Sequence, residues 1–303
     1  MRYDKTFLAL TTTVLLWASA FPAIRVALRG YGPAELSFLR LAAASLALVA
    51  VARVAKVRRP AARDLPRILV VGAAGMSGYQ LLLNWGELHV PAGTAALIVA
   101  VVPAISALLA AAFLGERLVP VRIAGSLVAL AGAALIAVAG GETGYTGAAW
   151  AVLAAAVAQA LHHFAIKPLL SRHTGLEVAA YAMWAGTALL VPLAPATLHA
   201  ALSAPAESTL AAVLLGLFPS AAGFVVWGYA VARLSVTMAT AALYLVPPVT
   251  LVISFLWLGE TPGPAELLGG VVTLAGVVLL HQGARARTDG SRRLPTGARR
   301  GRR

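Results

Sequence analysis

Gln80, Asn84 and Glu87 recur at i, i+4 and i+7 within an otherwise apolar stretch, with Tyr79 beside them. On a helix that spacing sets the three on one face. A polar face in hydrocarbon is costly unless it turns toward a protein interior or water, so it either lines a cavity or binds neighbouring helices at about 1 kcal/mol per hydrogen bond. Gln159, His162 and His163 form a second cluster within one turn, and Lys167 follows a turn later. Imidazole titrates near neutral pH, which makes His162 and His163, together with Glu87, candidates for proton coupling. The competing arrangement has one imidazole bonded to a neighbouring helix and the other reaching toward the aqueous edge. Trp17 and Ser19, with Trp227 and Tyr244 from the far half of the chain, supply aromatic and polar walls suited to apolar or cationic groups. Arg40 stands seven residues into an apolar stretch, about 10 Å deep by helical rise. There it requires a carboxylate, a carbonyl or water, and serves either an anionic substrate or a structural ion pair.

Composition decides what must position these groups. The 303 residues are 60% hydrophobic and 12% charged, with a mean hydropathy of +0.85, far more apolar than a soluble domain. Ten stretches are long enough to cross a bilayer, at about 6 to 28, 33 to 52, 66 to 88, 91 to 114, 121 to 140, 146 to 168, 176 to 199, 209 to 232, 235 to 258 and 264 to 282. The expected fold is an all-α integral membrane protein with ten transmembrane helices. With the N-terminus inside, the inner loops hold Arg2, Lys5, the cluster from Arg53 to Arg67, Arg117, Arg122, Lys167, Arg172 and Arg233, against Arg25, Arg29 and Arg40 on the outer side. Both termini are therefore expected in the cytoplasm. Arg2, Lys5, the apolar run and Ala18-Ser19-Ala20 also fit a signal peptide, but its removal would leave nine spans and delete the partner of the sixth.

The net charge of +13 is concentrated in residues 285–303, which carry eight arginines and one acid. That segment has no apolar face and reads as a disordered cytoplasmic tail whose partner is anionic lipid, not nucleic acid. No cysteine is present, which excludes disulfides and thiolate chemistry. There is no His-Glu-x-x-His, no paired aspartates and no Gly-x4-Gly-Lys-Ser/Thr loop, so catalytic residues, metal ligands and cofactors are expected to be none. Gly72, Gly75 and Gly78 belong to an apolar helix and do not form a phosphate loop.

The chain repeats itself. At an offset of 144, Val102-Pro103 falls on Val246-Pro247, Leu114-Gly115-Glu116 on Leu258-Gly259-Glu260, Pro120 on Pro264, and Leu130-Ala131-Gly132 on Leu274-Ala275-Gly276. Near 142, Glu35 matches Glu177, Trp85-Gly86 matches Trp227-Gly228, and Phe21 to Arg25 resembles Phe164 to Lys167. Residues 1–143 and 144–284 thus form two repeats of five spans, and an odd number makes the second enter the membrane upside down. Inverted repeats are a signature of secondary transporters with a midplane site between them. Pro103 and Pro247 interrupt matching helices, and each should free the carbonyl four residues earlier, Val99 and Leu243, with Pro248 adding Tyr244. These interruptions line a cavity or bend helices for packing. Glu116 and Glu260 read as structural, meeting amides at the next helix's N-terminus. Gly125, Gly132, Gly269 and Gly276 suit close packing or a homodimer contact.

Trp17-Ala18-Ser19-Ala20-Phe21, Glu35-Leu36-Ser37-Phe38-Leu39-Arg40 and the twice-occurring Pro-x10-Leu-Gly-Glu followed by Gly-x6-Gly resemble an EamA-type member of the drug/metabolite transporter superfamily, over about residues 6 to 282. The resemblance implies a ten-helix, two-repeat carrier of small metabolites in the bacterial plasma (inner) membrane, often working outward, and brings no shared catalytic residue. The expected activity is alternating-access transport of a metabolite, amino acid or drug-like compound, with proton coupling as an option. A passive channel, a lipid flippase and, more remotely, a lipid-acting enzyme are the alternatives. The substrate-binding set is Trp17, Ser19, Tyr79, Gln80, Asn84, Gln159, Trp227, Tyr244, Pro103 and Pro247.

Overall fold

Each apolar stretch ends where the sequence supplies a stop. Pro33 opens one helix in its first turn, and Thr174 caps another through a reciprocal capping box with Glu177. Gly115 and Gly259 close two more in the left-handed conformation, at φ 69° and 71°. The computed structural model describes residues 2–115, 120–139 and 146–291, and these form ten helical segments with no strand among them. They are α1 (Arg2–Ala27), α2 (Pro33–Val54), α3 (Ala62–Glu87), α4 (Ala92–Leu114), α5 (Pro120–Ala139), α6 (Thr146–Leu169), α7 (Gly175–Ala201), α8 (Ala206–Val231), α9 (Val236–Leu258) and α10 (Pro264–Ser291). Eight are long and apolar enough to cross a membrane, while α5 and α10 contain the shorter apolar helices Ile123–Leu135 and Leu267–Gly276. Phe7, Leu46, Phe113, Leu198 and Leu256 stand exposed around the outside, as lipid-facing side chains do.

Helix boundaries fall within a few residues of expectation, with one large exception. α10 continues to Ser291, so residues 285–291 of the expected disordered tail are helical; residues 292–303 lie outside the described residues, as does Glu116. The capping box has a measurable weight. Replacing Thr174 with Ala removes the acceptor for the Glu177 amide and is expected to cost about 1 kcal/mol, readable as a lowered melting temperature of the detergent-solubilised protein.

The repeat reappears in the irregularities. π-helical turns occupy Gly72–Gly78 in α3 and Gly216–Ala222 in α8, an offset of 144. α4 breaks before Val102 and α9 before Val246, at the same offset. α1 and α6 end, and α2 and α7 begin, 142 residues apart. The pairing of Trp85 with Trp227 does not survive this register, because α3 and α8 end at Glu87 and Val231, 144 residues apart. Trp85 is an exposed side chain, whereas Trp227 is completely buried.

The two halves interleave. α1 packs on α8 and α9, α2 on α7 and α8, α3 on α6 and α7, and α5 on α10. Small residues permit this. A side chain at Gly132 would meet Thr273 and the Gly269 carbonyl, and one at Gly276 would meet Ala129 and the Gly125 carbonyl, so these glycines serve the α5–α10 contact inside the chain.

Candidate functional site

α1, α2, α3, α4, α6, α8 and α9 line a central cavity that leaves about 40 Å³ for the centres of water-sized molecules. Roughly three water molecules fit in it. Many lining positions are related by the repeat: Trp17 with Gln159 and Phe21 with His163 at the offset of 142, Val99 with Leu243 and Val102 with Val246 at 144. The cavity therefore lies where the halves meet as equivalents.

One wall is an aromatic stack. The Trp17 ring lies 5.1 Å from Phe224, 5.3 Å from Trp227 and 5.9 Å, nearly parallel, from His163. Its indole N–H donates to the Pro219 carbonyl at 3.0 Å, inside the π-helical turn of α8. The two histidines are held differently. His162 donates from Nδ1 to the Val71 carbonyl at 3.2 Å, which places its proton on that nitrogen. His163 does not reach for the aqueous edge; it is fully buried, with Nε2 3.1 Å from Gln159 Nε2 and its ring 4.7 Å from Trp227.

Polar atoms without protein partners occur on the lining and buried behind it. They include Arg40 Nη1, Gln159 Oε1, both amide atoms of Gln80, Asn84 Oδ1 and both carboxylate oxygens of Glu87. In a membrane interior an unanswered polar group is costly, and those on the lining can be answered by water or a solute in the cavity. The stripe on α3 faces inward, with Gln80, Asn84 and Glu87 all inaccessible, and Asn84 Nδ2 donates to Ser37 Oγ at 2.9 Å.

The structure brings Trp17, Tyr79, Gln159, His163 and Pro247 into the lining. Gln80, Asn84, Glu87 and His162 are buried but stand off the cavity surface. Trp227 backs Trp17 and His163 rather than lining the space. Ser19 bonds the Leu16 carbonyl of its own helix, the usual back-bonding of a helical serine. Tyr244 packs beside the cluster around Val101, Ala104 and Ala156, and Pro103 is buried in the first turn of a helix. The prolines free less backbone than expected. Each is the second residue of a helical segment that starts after a break, where the missing N–H costs nothing, and the Leu243 carbonyl accepts from the Val246 amide. Phe21 and Phe224 line the cavity without having been expected to bind, and Arg40, read as serving an anionic substrate or a structural ion pair, lines it as well.

Polar latches tie helix ends on either side. Glu260 accepts from the Ala92 amide at 2.8 Å and pairs with Arg25 Nε at 3.3 Å, while Arg25 also donates to the Glu87 and Leu88 carbonyls. Glu260 thus caps α4 of the other half and not the helix that follows it. Lys167, the repeat counterpart of Arg25, donates to the Val231 carbonyl at 2.7 Å and to that of Leu234.

The EamA-like transporter family model matches the chain twice, at residues 5–138 and 146–281. The chain belongs to this family. A relative in Streptantibioticus cattleyicolor, named a probable terminal-alkyne amino-acid exporter, is 61% identical over 97% of each chain. The uncharacterized transporter YdfC of Bacillus subtilis is 35% identical over 88% of this chain and 87% of its own. A probable amino-acid metabolite efflux pump of Escherichia coli is 25% identical over 90% and 94%. A crystal structure shares the fold, with a TM-score of 0.64 over 94% of this chain and 99% of the other at 22% identity. As an EamA chain, the protein is a multi-pass membrane protein of a transporter family. The two family matches bracket the two sets of π-helical turns and broken helices, so each copy carries its own half of the cavity wall.

Proposed function

We propose that the protein exports a small amino-acid-like metabolite by alternating access around the central cavity. Ten membrane-spanning helices form two inverted repeats, 1–143 and 144–284, in the bacterial inner membrane with both termini cytoplasmic. The observation that carries this reading is the cavity built from equivalent positions of both halves, since rocking one half against the other changes access to a space on their shared axis. The exporters among its relatives support the direction and the amino-acid class. The small size of the cavity suits a solute of amino-acid size better than a bulky drug. Trp17, Tyr79, Gln159 and Pro247 form the contact surface, and His163, with His162 behind it and Glu87 in the buried stripe, carries the coupled proton. The arginine-rich tail rests on anionic lipid.

The test uses inside-out vesicles containing the full chain and 2-aminopent-4-ynoic acid, a small amino acid with a terminal alkyne. An acid-interior gradient is expected to drive accumulation that collapses with a protonophore. Equilibration insensitive to the gradient would mark a passive channel, and flux equal to that of empty vesicles would sink the reading altogether.

A further inference from the structure

Arg40 is 3% exposed and contributes the one permanently charged side chain to the cavity lining among the described residues. Its Nε donates to Ser220 Oγ at 2.7 Å, which fixes the guanidinium, while Nη1 has no protein partner. A guanidinium does not lose its proton in a protein, so the charge stays and demands an acceptor. Glu87 lies within electrostatic reach, yet no ion pair joins the two among the described residues. The repeat supplies no reason for the charge either, because the equivalent position in the second half is Ala182. Arg40 is therefore peculiar to one half of a duplicated scaffold and lines the space the halves share.

The same lining offers the opposite polarity. Gln159 is 4% exposed, and its Oε1, a hydrogen-bond acceptor, has no donor. The rest of the lining is largely apolar and aromatic, including Trp17, Phe21 and Phe224. A donor with fixed positive charge, a neutral acceptor and an apolar pocket together complement an α-amino acid zwitterion.

We propose that Arg40 anchors the carboxylate of the transported solute and that Gln159 receives its ammonium group. The proposal rests on the exporter reading above and adds to it the chemical handle by which the solute is held. Charge-assisted hydrogen bonds to a buried guanidinium are strong, and an amide in place of the carboxylate leaves the charge unanswered.

The experiment needs no variant for its first arm. Competition against labelled 2-aminopent-4-ynoic acid in proteoliposomes of the wild-type chain compares the unlabelled acid with its primary amide and with pent-4-ynoic acid, which lacks the amine. The amide is expected to compete at least tenfold more weakly, and pent-4-ynoic acid to lose affinity as well. In the second arm Arg40→Gln is expected to bring acid and amide to within threefold of each other, while Arg40→Lys keeps a preference for the acid. Equal competition by acid and amide in the wild type, or an Arg40→Gln protein that inserts normally and still prefers the acid tenfold, would overturn the carboxylate anchor while leaving the exporter reading intact. Undiminished competition by pent-4-ynoic acid would overturn the role of Gln159. Absence of any wild-type transport of these compounds would sink the exporter reading and the anchor with it.

Discussion

Gly75→Ala is expected to destabilise the protein and to lower transport about tenfold or more, from an overpacking cost of about 1–3 kcal/mol. A Cβ at position 75 would lie 2.1 Å from His162 Nδ1, 2.3 Å from its Cγ and 2.5 Å from its Cβ. The clash is with the root of the side chain as well as its ring, and the ring is pinned to the Val71 carbonyl. Relief therefore requires α3 and α6 to separate, which shifts His163 and Gln159 on the next face of α6. Gly147→Ala provides the control, since nothing lies within 4 Å of the added atom. That change should leave stability equal or raise it by up to about 1 kcal/mol. Thermal melts in detergent and flux in proteoliposomes separate the two outcomes, and equal behaviour of the variants would refute the packing argument.

Glu260→Ala is expected to loosen the end of the molecule where α1, α3 and α9 meet the first residue of α4. It strips the acceptor from the Ala92 amide and the partner from Arg25, and removes a negative charge from a helix N-terminus. Both carboxylate and guanidinium are partly exposed, so the loss is nearer about 1–2 kcal/mol than the full value of a buried charged bond. A shift of that size changes a two-state population by roughly 5–30-fold. The following turns of α4, including Ala96, line the cavity, so increased opening is readable there. The chain has no cysteine of its own, which makes a single Ala96→Cys substitution a clean reporter. Its labelling by an impermeant maleimide from the Glu260 side should accelerate by roughly the same factor. An unchanged labelling rate would show that the latch does not govern access.

Much of this arrangement was legible in the chain. Helices began at Pro33 and after Thr174 and ended at Gly115 and Gly259, because a membrane helix has few other reasons to start or stop. Trp17, Tyr79, Gln159 and His163 stood out because polar and aromatic groups are costly or rare deep in an apolar run. Phe21, Leu83, Phe224 and Ala96 gave no such signal. In a membrane helix the lipid face and the cavity face are both apolar, so alternation cannot separate them. The π-helical turns were equally invisible, since each comes from backbone register and not from a residue type. Trp85-Gly86 misled, because a dipeptide match at one offset ignored the two residues by which the later spans are displaced.

The difference between Arg40 and Ala182 has an energetic consequence for a molecule assembled from duplicated parts. If the copies exchange shapes as the proposed mechanism requires, perfect copies would pass between states related by a two-fold rotation and equal in free energy, with no resting preference. Here one copy alone carries a fixed cation into the shared space, and the exchanged shape surrounds that cation differently. Under that mechanism the degeneracy is lifted by composition, and the empty protein is expected to favour one orientation before any solute or gradient acts on it.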